Sequence, residues 1–176
     1  SVVTWGHQGN GGDSSSVSTD ISSGVVDIFS SGDRYDAEAG DGSAFAALKS
    51  DGSVVTWGSQ SGGGDSSSVS QDLSSDVDQI FSTSLGAFAA LKSDGSVITW
   101  GGQGGDSSSV SAELSSGVTH IFSTGLSFAA LKSDGSVVTW GSSSYGGDSS
   151  AVSTDLSSEV TWIYSSTGAF AAIIEI

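Results

Sequence analysis

Hydrophobic residues occur along this chain in short runs that are separated by serine, glycine and aspartate. The clearest example covers residues 118–141, where three runs rich in valine, isoleucine and aromatic residues follow one another. β-Branched and aromatic runs of this length, bounded by small polar residues, are typical of β-strands. The pattern therefore predicts strands over Val118–Ser123, Phe128–Lys132 and Ser136–Trp140.

The link between the second and third of these strands contains Asp134 and Gly135. An Asp-Gly pair between two strands is a strong hairpin signal and predicts a turn in which both residues have positive φ. Two successive alanines in the second strand, Ala129 and Ala130, are small enough to let a neighbouring sheet approach closely. We therefore expect a three-stranded antiparallel sheet that packs against others of its kind.

The same phrase, FAALKSDGSVVTWG or a near copy, recurs along the chain. It covers Phe45–Gly58, Phe88–Gly101 and Phe128–Gly141, and a fourth copy is divided between Phe170–Ile173 and Ser1–Gly6. The Trp-Gly pairs mark repeats of about 40–52 residues. Repeats of this length are typical of propellers, solenoids and arrays.

From this division we predict one domain over residues 1–176, with four repeats and an all-β fold. We expect a four-repeat β-propeller-like toroid that is closed by pairing of the N- and C-terminal strands, Ser1–Gly6 with Ala169–Ile176. Closure would remove two exposed sheet edges, which otherwise invite aggregation.

Each Trp-Gly is followed by a Gly/Ser-rich stretch and then by a sequence close to DSSSVSxxL. The valine and the leucine or isoleucine lie four residues apart, which predicts a short helical turn between blades or an irregular fourth strand. The aspartates that open this sequence are expected to cap turns rather than to bind metal. Calcium-binding repeats with a similar Gly-Gly-x-Gly-x-Asp motif recur every nine residues, whereas these aspartates recur about every forty. They are Asp13, Asp65, Asp106 and Asp148.

Composition narrows the classes of partner. Serine supplies 44 residues and glycine 26, but hydrophobic residues make up 36% of the chain and are regularly placed, so a disordered linker is not expected. Twenty acidic residues against four basic ones give a net charge of −16. This charge argues against nucleic acid and against an anionic membrane surface. No apolar run approaches the ~20 residues of a membrane span.

Two residue types that are absent from the sequence bear on processing and on disulfide formation. It contains no methionine, so we expect processing or excision upstream of Ser1. It also contains no cysteine, which excludes disulfides and thiolate metal sites.

One segment interrupts the first repeat. Asp33–Gly42 has no counterpart in the other repeats and carries four carboxylates, the only arginine and a tyrosine. We expect a solvated acidic loop, and two alternatives stay open: contact with a partner through Arg34 and Tyr35, and calcium binding. The calcium candidates are Asp33, Asp36, Glu38 and Asp41, although their spacing does not match the EF-hand loop.

The third repeat resembles a known family. Its sequence VTHIFSTGLSFAALKSDGSVVTWG is similar to the regulator-of-chromosome-condensation propeller repeat, and the stretch after Ser1 resembles that family's secreted bacterial branch, which includes an inhibitor of β-lactamases. The matching positions in this repeat are Val118, Ile121, Gly125, Ala130, Leu131, Asp134, Gly135, Val137, Trp140 and Gly141. The resemblance implies a propeller fold that serves as a protein-binding scaffold.

Candidate chemistry is sparse, and we predict no cofactor and no enzyme. The two histidines, His7 and His120, fall at non-equivalent positions of the repeat, and no G-x-S-x-G motif is present. The repeated tryptophans are expected to pack between blades rather than to form a carbohydrate platform. A hydrolase or lyase that uses acidic residues in a central channel is kept as a rival class.

The sequence therefore predicts a secreted or cell-surface structural and interaction module that is a subunit of a homomeric assembly. Ile174 and Ile176 replace the lysine and aspartate of the other repeats, so we expect them in or beside the interface between subunits. The alternative is a ligand-binding module, lectin-like or a protein inhibitor, that uses blade loops and the Asp33–Gly42 insertion.

Overall fold

A computed structural model describes residues 1–32 and 42–175 of the chain. These residues form four antiparallel sheets, three of them with three strands and the last with two. The strands are β1 Val25–Ser31, β2 Ala44–Lys49, β3 Val54–Gly58, β4 Val77–Ser82, β5 Ala87–Lys92, β6 Val97–Gly101, β7 Val118–Ser123, β8 Ser127–Lys132, β9 Val137–Gly141, β10 Val160–Ser165 and β11 Phe170–Ile174. The predicted all-β class is confirmed.

Every sheet repeats one pattern of pairing. Its strands follow one another as an antiparallel meander, and the first strand has an irregular register near its beginning, as between Val118 and His120. The second and third strands pair so that a phenylalanine lies opposite a tryptophan. These pairs are Phe45 with Trp57, Phe88 with Trp100 and Phe128 with Trp140.

The alanine pairs lie where neighbouring sheets meet, as the sequence predicts. Both alanines are fully buried in β2, β5 and β8. In β5 and β8 one alanine faces the preceding sheet and the other faces the following sheet, whereas in β2 Ala46 faces the second sheet and Ala47 packs with Ile21 of the segment before the first sheet. The first strands of neighbouring sheets contact each other in chain order, β1 with β4, β4 with β7 and β7 with β10. The hydrophobic core is therefore a series of layers between successive sheets.

The hairpin turn differs from the prediction. In the second sheet Gly95 has φ of +78°, but Asp94 is not among the described residues with positive φ. The Gly95 N–H donates to the Lys92 carbonyl at 2.9 Å, and the Lys92 N–H donates to the Ser96 carbonyl at 2.9 Å. This is a three-residue hairpin loop with glycine in the left-handed position, so only glycine needs the unusual backbone.

Connecting segments join each sheet to the next. They cover residues 59–76, 102–117 and 142–159, and a similar segment, 7–24, precedes the first sheet. Each contains short 3₁₀ turns such as Ser67–Val69 and Ser108–Val110. The predicted helical turns are thus confirmed. Near the end of two segments one aliphatic side chain, Leu73 or Leu114, inserts between two sheets and is almost fully buried, and the equivalent Ile21 is buried against the first sheet alone.

The predicted closure of the toroid is wrong. β11 pairs with β10 alone, and Ser1–Gly6 belongs to no strand. Trp5 is 84% exposed, whereas its counterparts Trp57, Trp100 and Trp140 are 3%, 3% and 2% exposed. Buried side chains fix how each sheet packs on the next, and in this packing Ser1–Gly6 does not pair with β11.

Candidate interaction surface

Three sheets contain a pocket that is filled by the tryptophan of their own third strand. In the second sheet, Trp100 stacks on Phe88 with ring centroids 5.2 Å apart. Its Nε1 donates to the carbonyl oxygen of Gly63, in the connecting segment that precedes the sheet, at 3.1 Å. In the first sheet Trp57 makes the same bond to Gly11 at 3.1 Å. We call this arrangement the tryptophan pocket.

Gly63 has to be glycine for two reasons. Its φ is +90°, and a Cβ atom there would lie 2.7 Å from the ring of Phe88. The corresponding residue of the last connecting segment is Gly146, which also has φ of +90° and whose Cβ would lie 2.8 Å from the ring of Phe170. The wall of a fourth tryptophan pocket is therefore built, with its phenylalanine and its glycine in place.

In the fourth sheet no tryptophan enters this pocket. A cavity of about 500 Å³ lies between the last connecting segment and β10–β11. Its apolar lining includes Val152, Leu156, Ile163, Phe170 and Ala172. We call this cavity the open pocket.

The strand beside the open pocket is exposed along its free edge. Ala171 and Ala172 of β11 are exposed, although the equivalent alanines of the other sheets are fully buried. Ile173 is 50% and Ile174 is 37% exposed. Ile174 occupies the position of Lys49, Lys92 and Lys132 in the other sheets. An unpaired edge that carries isoleucine instead of lysine lacks the usual protection against pairing with another strand.

The segment Ser1–Gly6 lies at the opposite end of the series of sheets. The N–H of Val2 donates to the carbonyl of Ile21 at 3.1 Å, as that of Val54 donates to Leu73 at 2.9 Å. The Oγ1 of Thr4 lies 2.8 Å from the Oγ of Ser14, as that of Thr99 lies 2.9 Å from the Oγ of Ser107. Ser1–Gly6 therefore has the setting of a third strand but no second strand beside it.

A second depression adjoins this segment. It measures about 260 Å³ and lies on the free face of the first sheet, where Val2, Trp5, Ile28, Phe45 and Trp57 line it. One end of the described structure thus has an exposed tryptophan beside an apolar sheet face, and the other end has the open pocket beside a strand, β11, with one unpaired edge. Such surfaces bind by strand addition with an aromatic anchor.

Charged residues border the open pocket on one side only, in the last connecting segment. Asp148 and Asp155 border it, while β10 and β11 carry no charged residue. The N–H of Ser150 donates to Oδ1 of Asp148 at 2.9 Å and lowers the pKa of Asp148. The other three aspartates at this repeat position accept the same bond, so the predicted turn-capping role is confirmed for all four. Among residues 1–32 and 42–175, no group of three potential metal ligands occurs.

Of the predicted interaction residues, the structure places Ile174 beside the open pocket. Ile176, Arg34 and Tyr35 lie outside the described residues, as do the calcium candidates Asp33, Asp36, Glu38 and Asp41. Val3 and Trp5 are the most exposed large hydrophobic side chains described, at 77% and 84%, so the predicted packing of the repeated tryptophans between blades is wrong for Trp5, which has no second strand beside it. The only sequence signal for them is the identity of SVVTWG with the buried copies, which by itself predicts burial.

The aromatic cluster on the first strands is a different feature. Trp162 meets the ring of Phe122 edge-on at 5.2 Å and that of His120 at 4.9 Å, and so links β7 and β10. This placement gives His120 and Trp162 a packing role between neighbouring sheets.

Within the part of the chain that the structure describes, no helix is long and apolar enough to cross a membrane.

Comparisons with known proteins leave the family open. No family model and no curated protein matches the chain. Among solved structures, the ectodomain of the receptor kinase CR4 from Physcomitrella patens is similar, with 16% identity over 60% of this chain and 28% of that chain and a TM-score of 0.38. Human WBSCR16 is similar at 18% identity over 66% of this chain and 33% of that chain, with a TM-score of 0.37. This chain thus spans a third or less of those two chains, and its function has to be argued from its own residues.

Proposed function

We propose that this chain is a non-enzymatic interaction module, built as consecutive blades of a β-propeller of the regulator-of-chromosome-condensation type, and that it is a subunit of a homomeric assembly. The observation that carries the proposal is the uncharged, unpaired edge of β11 beside the open pocket. An apolar edge of this kind is costly to leave in water and pairs readily with a strand of another chain.

Binding is favoured over catalysis by the lining of the open pocket. Its walls are mainly aliphatic and aromatic carbon with serine hydroxyls, and neither His7 nor His120 is among the lining residues. Hot spots of protein interfaces are apolar and aromatic pockets of this sort. A net charge of −16 opposes broad face-to-face contact, so association should use a small, uncharged area and strengthen with salt. A secreted or cell-surface location fits this surface and is part of the proposal.

The experiment is to measure the mass of the 176-residue chain by light scattering, across concentration and from low to high salt. We expect a mass above that of the monomer that rises with both. Ile174→Lys should reduce the assembly, because it adds a charge at the interface while restoring the residue of the other three repeats. Ile174→Lys/Ile176→Asp extends the test to both replaced positions. Val26→Lys, at an exposed valine of β1, is the matched control and should assemble like the parent. A parent that stays monomeric at high concentration and high salt would overturn the proposal.

A second candidate is ligand binding at the first sheet. A polar depression of about 210 Å³, lined by Ser30, Gly32 and Ser82–Ser84, lies where the Asp33–Gly42 insertion begins. Hydroxyl and backbone oxygen atoms could supplement the carboxylates of that insertion in holding calcium or a sugar. Calcium titration with the melting temperature as readout tests this candidate independently of assembly, because bound ligand stabilises the folded state.

A further inference from the structure

We propose that Ser1–Gly6 of one copy pairs with β11 of a second copy and completes its fourth sheet as the third strand, with Trp5 filling the open pocket. The inference rests on the proposed homomeric assembly and names the segment that joins its subunits. The association is head to tail, since the donor segment and the acceptor strand lie at opposite ends of one chain.

The first support is that Ser1–Gly6 is identical in sequence to segments that already form the third strand of a sheet. Ser1–Gly6 reads SVVTWG, which is identical to Ser53–Gly58 and Ser136–Gly141. Those segments contain β3 and β9, and they pair with β2 and β8, whose AFAAL and SFAAL sequences correspond to AFAAI at Ala169–Ile173. The register is therefore set, with Trp5 opposite Phe170 and Val3 opposite Ala172.

The second support is that the donor segment already has the required conformation. Its Val2 and Thr4 make the hydrogen bonds of a third strand to their own connecting segment. Gly6 has φ of +113°, like Gly58 at +109°. A Cβ on Gly58 would strike the backbone of Ser43 and Ala44 at 2.8 and 2.9 Å, whereas a Cβ on Gly6 would meet nothing within 4 Å. One edge of the donor segment is bonded and the other faces open space, so little ordering entropy opposes pairing.

The third support is the fit of Trp5. In the first sheet the indole of Trp57 packs with Val17, Ile21 and Phe45. The open pocket presents Val152, Leu156 and Phe170 at the same three repeat positions. Its Gly146 corresponds to Gly11, whose carbonyl accepts the Trp57 Nε1 bond. A tryptophan buries roughly 150–250 Å² of surface in such a site.

The two surfaces also complement each other beyond the strand. When β10–β11 of one copy receives Ser1–Gly6 of another, its exposed Ala171 and Ile173 face the first sheet of the donor copy. That face holds the depression beside Ile28, which is 41% exposed. In the interior of the chain the equivalent contact joins each sheet to the next. The interface between copies thus repeats the packing between sheets. A head-to-tail contact of this kind builds a ring if its rotation closes and a filament if it does not.

The test uses the absence of cysteine from the chain, so that any disulfide comes from introduced residues. Val3→Cys and Ala172→Cys are made in separate chains that carry tags of different mass. Their equivalents, Val55 and Ala47, are direct cross-strand partners. Such partners have Cα atoms at a distance that a disulfide can span. Mixing and mild oxidation should give the mixed disulfide dimer on a non-reducing gel. Each variant alone, and Val3→Cys mixed with Ser133→Cys at a distant hairpin, should give far less.

Trp5→Ala supplies a second readout. It removes the anchor of the interface and should weaken assembly at least about 30-fold, the effect expected at an interface hot spot.

Three outcomes would overturn the inference. If the double variant Val3→Cys/Ala172→Cys forms a disulfide within a single chain while the mixture gives none, the chain closes on itself. If the parent assembles but neither the mixed disulfide nor the effect of Trp5→Ala appears, the proposed function stands and the inference fails. If the parent is strictly monomeric, both fail.

Discussion

Replacing the repeat tryptophan by alanine should destabilise the isolated chain strongly at one position of the motif and hardly at all at another. Trp100 is 3% exposed, stacks on Phe88 at 5.2 Å and donates to Gly63. Truncating a buried tryptophan costs about 3–5 kcal/mol. Trp5 has the same neighbours in sequence but is 84% exposed, so Trp5→Ala should change the stability of the isolated chain by no more than about 0.5 kcal/mol.

The measurement is urea unfolding followed by far-ultraviolet circular dichroism, at a concentration low enough that the chain is monomeric. The loss expected for Trp100→Ala is a large part of the 5–15 kcal/mol that holds a typical domain together. In a chain of this size it should lower the melting temperature by roughly 6–20 °C. Trp140→Ala should cost somewhat less, because the Nε1 of Trp140 is the buried side-chain polar atom without a partner among the described residues.

A clear result would refute this reasoning. If Trp5→Ala destabilises the dilute monomer as much as Trp100→Ala does, then Trp5 is buried within its own chain and the sheets close into a ring. If instead neither change matters, the tryptophan pocket does not stabilise the fold, and the reasoning about the open pocket loses its basis.

Three further predictions concern local features of the structure. Gly58→Ala should destabilise the chain by more than about 1 kcal/mol in urea unfolding, because its Cβ would strike the backbone of the second strand. Gly6→Ala, at a similar φ but with open space around the Cβ, should cost less, and equal costs would contradict this. The hydroxyl and N–H of Ser96 donate to Asp94 and lower its pKa, so this stabilisation is present above about pH 3.9 and is lost as the pH falls through the folded-state pKa. Asp94→Asn should therefore narrow the difference in melting temperature between about pH 5 and pH 2.5, and an unchanged difference would contradict this. Deleting residues 33–42 should leave the melting temperature near that of the parent, because the residues on either side already lie together, with the Oγ of Ser43 3.5 Å from the carbonyl oxygen of Gly32. Loss of folding would show that the segment is needed for the structure.

Local structure could be predicted from the sequence because it is fixed by neighbouring residues. The runs of β-branched and aromatic residues, the alanine pairs and the recurring aspartates each act over a few positions, and the strands and turns follow from them. The hairpin loop is the exception within this range. The loop has three residues, a serine, an aspartate and a glycine, and only the glycine is in the left-handed region. The Asp-Gly pair alone does not show that the serine belongs to the loop.

The failure of the closure prediction has a different cause. Whether Ser1–Gly6 reaches β11 depends on the angle between successive sheets, which is set by the shapes of buried side chains and adds up over three steps. A repeat count carries no information on that angle. The open pocket was missed for the same reason, since its walls, Phe170 and Gly146, have the same sequence signature as walls of filled pockets.

The bonds from Trp57 to Gly11 and from Trp100 to Gly63 have a consequence for how the chain is divided into parts. Each tryptophan closes its own sheet onto the connecting segment that comes before that sheet, so the piece that holds together is a segment followed by its three strands. A boundary drawn after the Trp-Gly pair, for example between Gly58 and Ser59, keeps each tryptophan with its pocket. A boundary drawn in front of β4 separates Trp100 from Gly63. Whole pieces cut at the first kind of boundary could be added or removed in register, which makes that boundary the natural joint for building longer or shorter arrays from this protein.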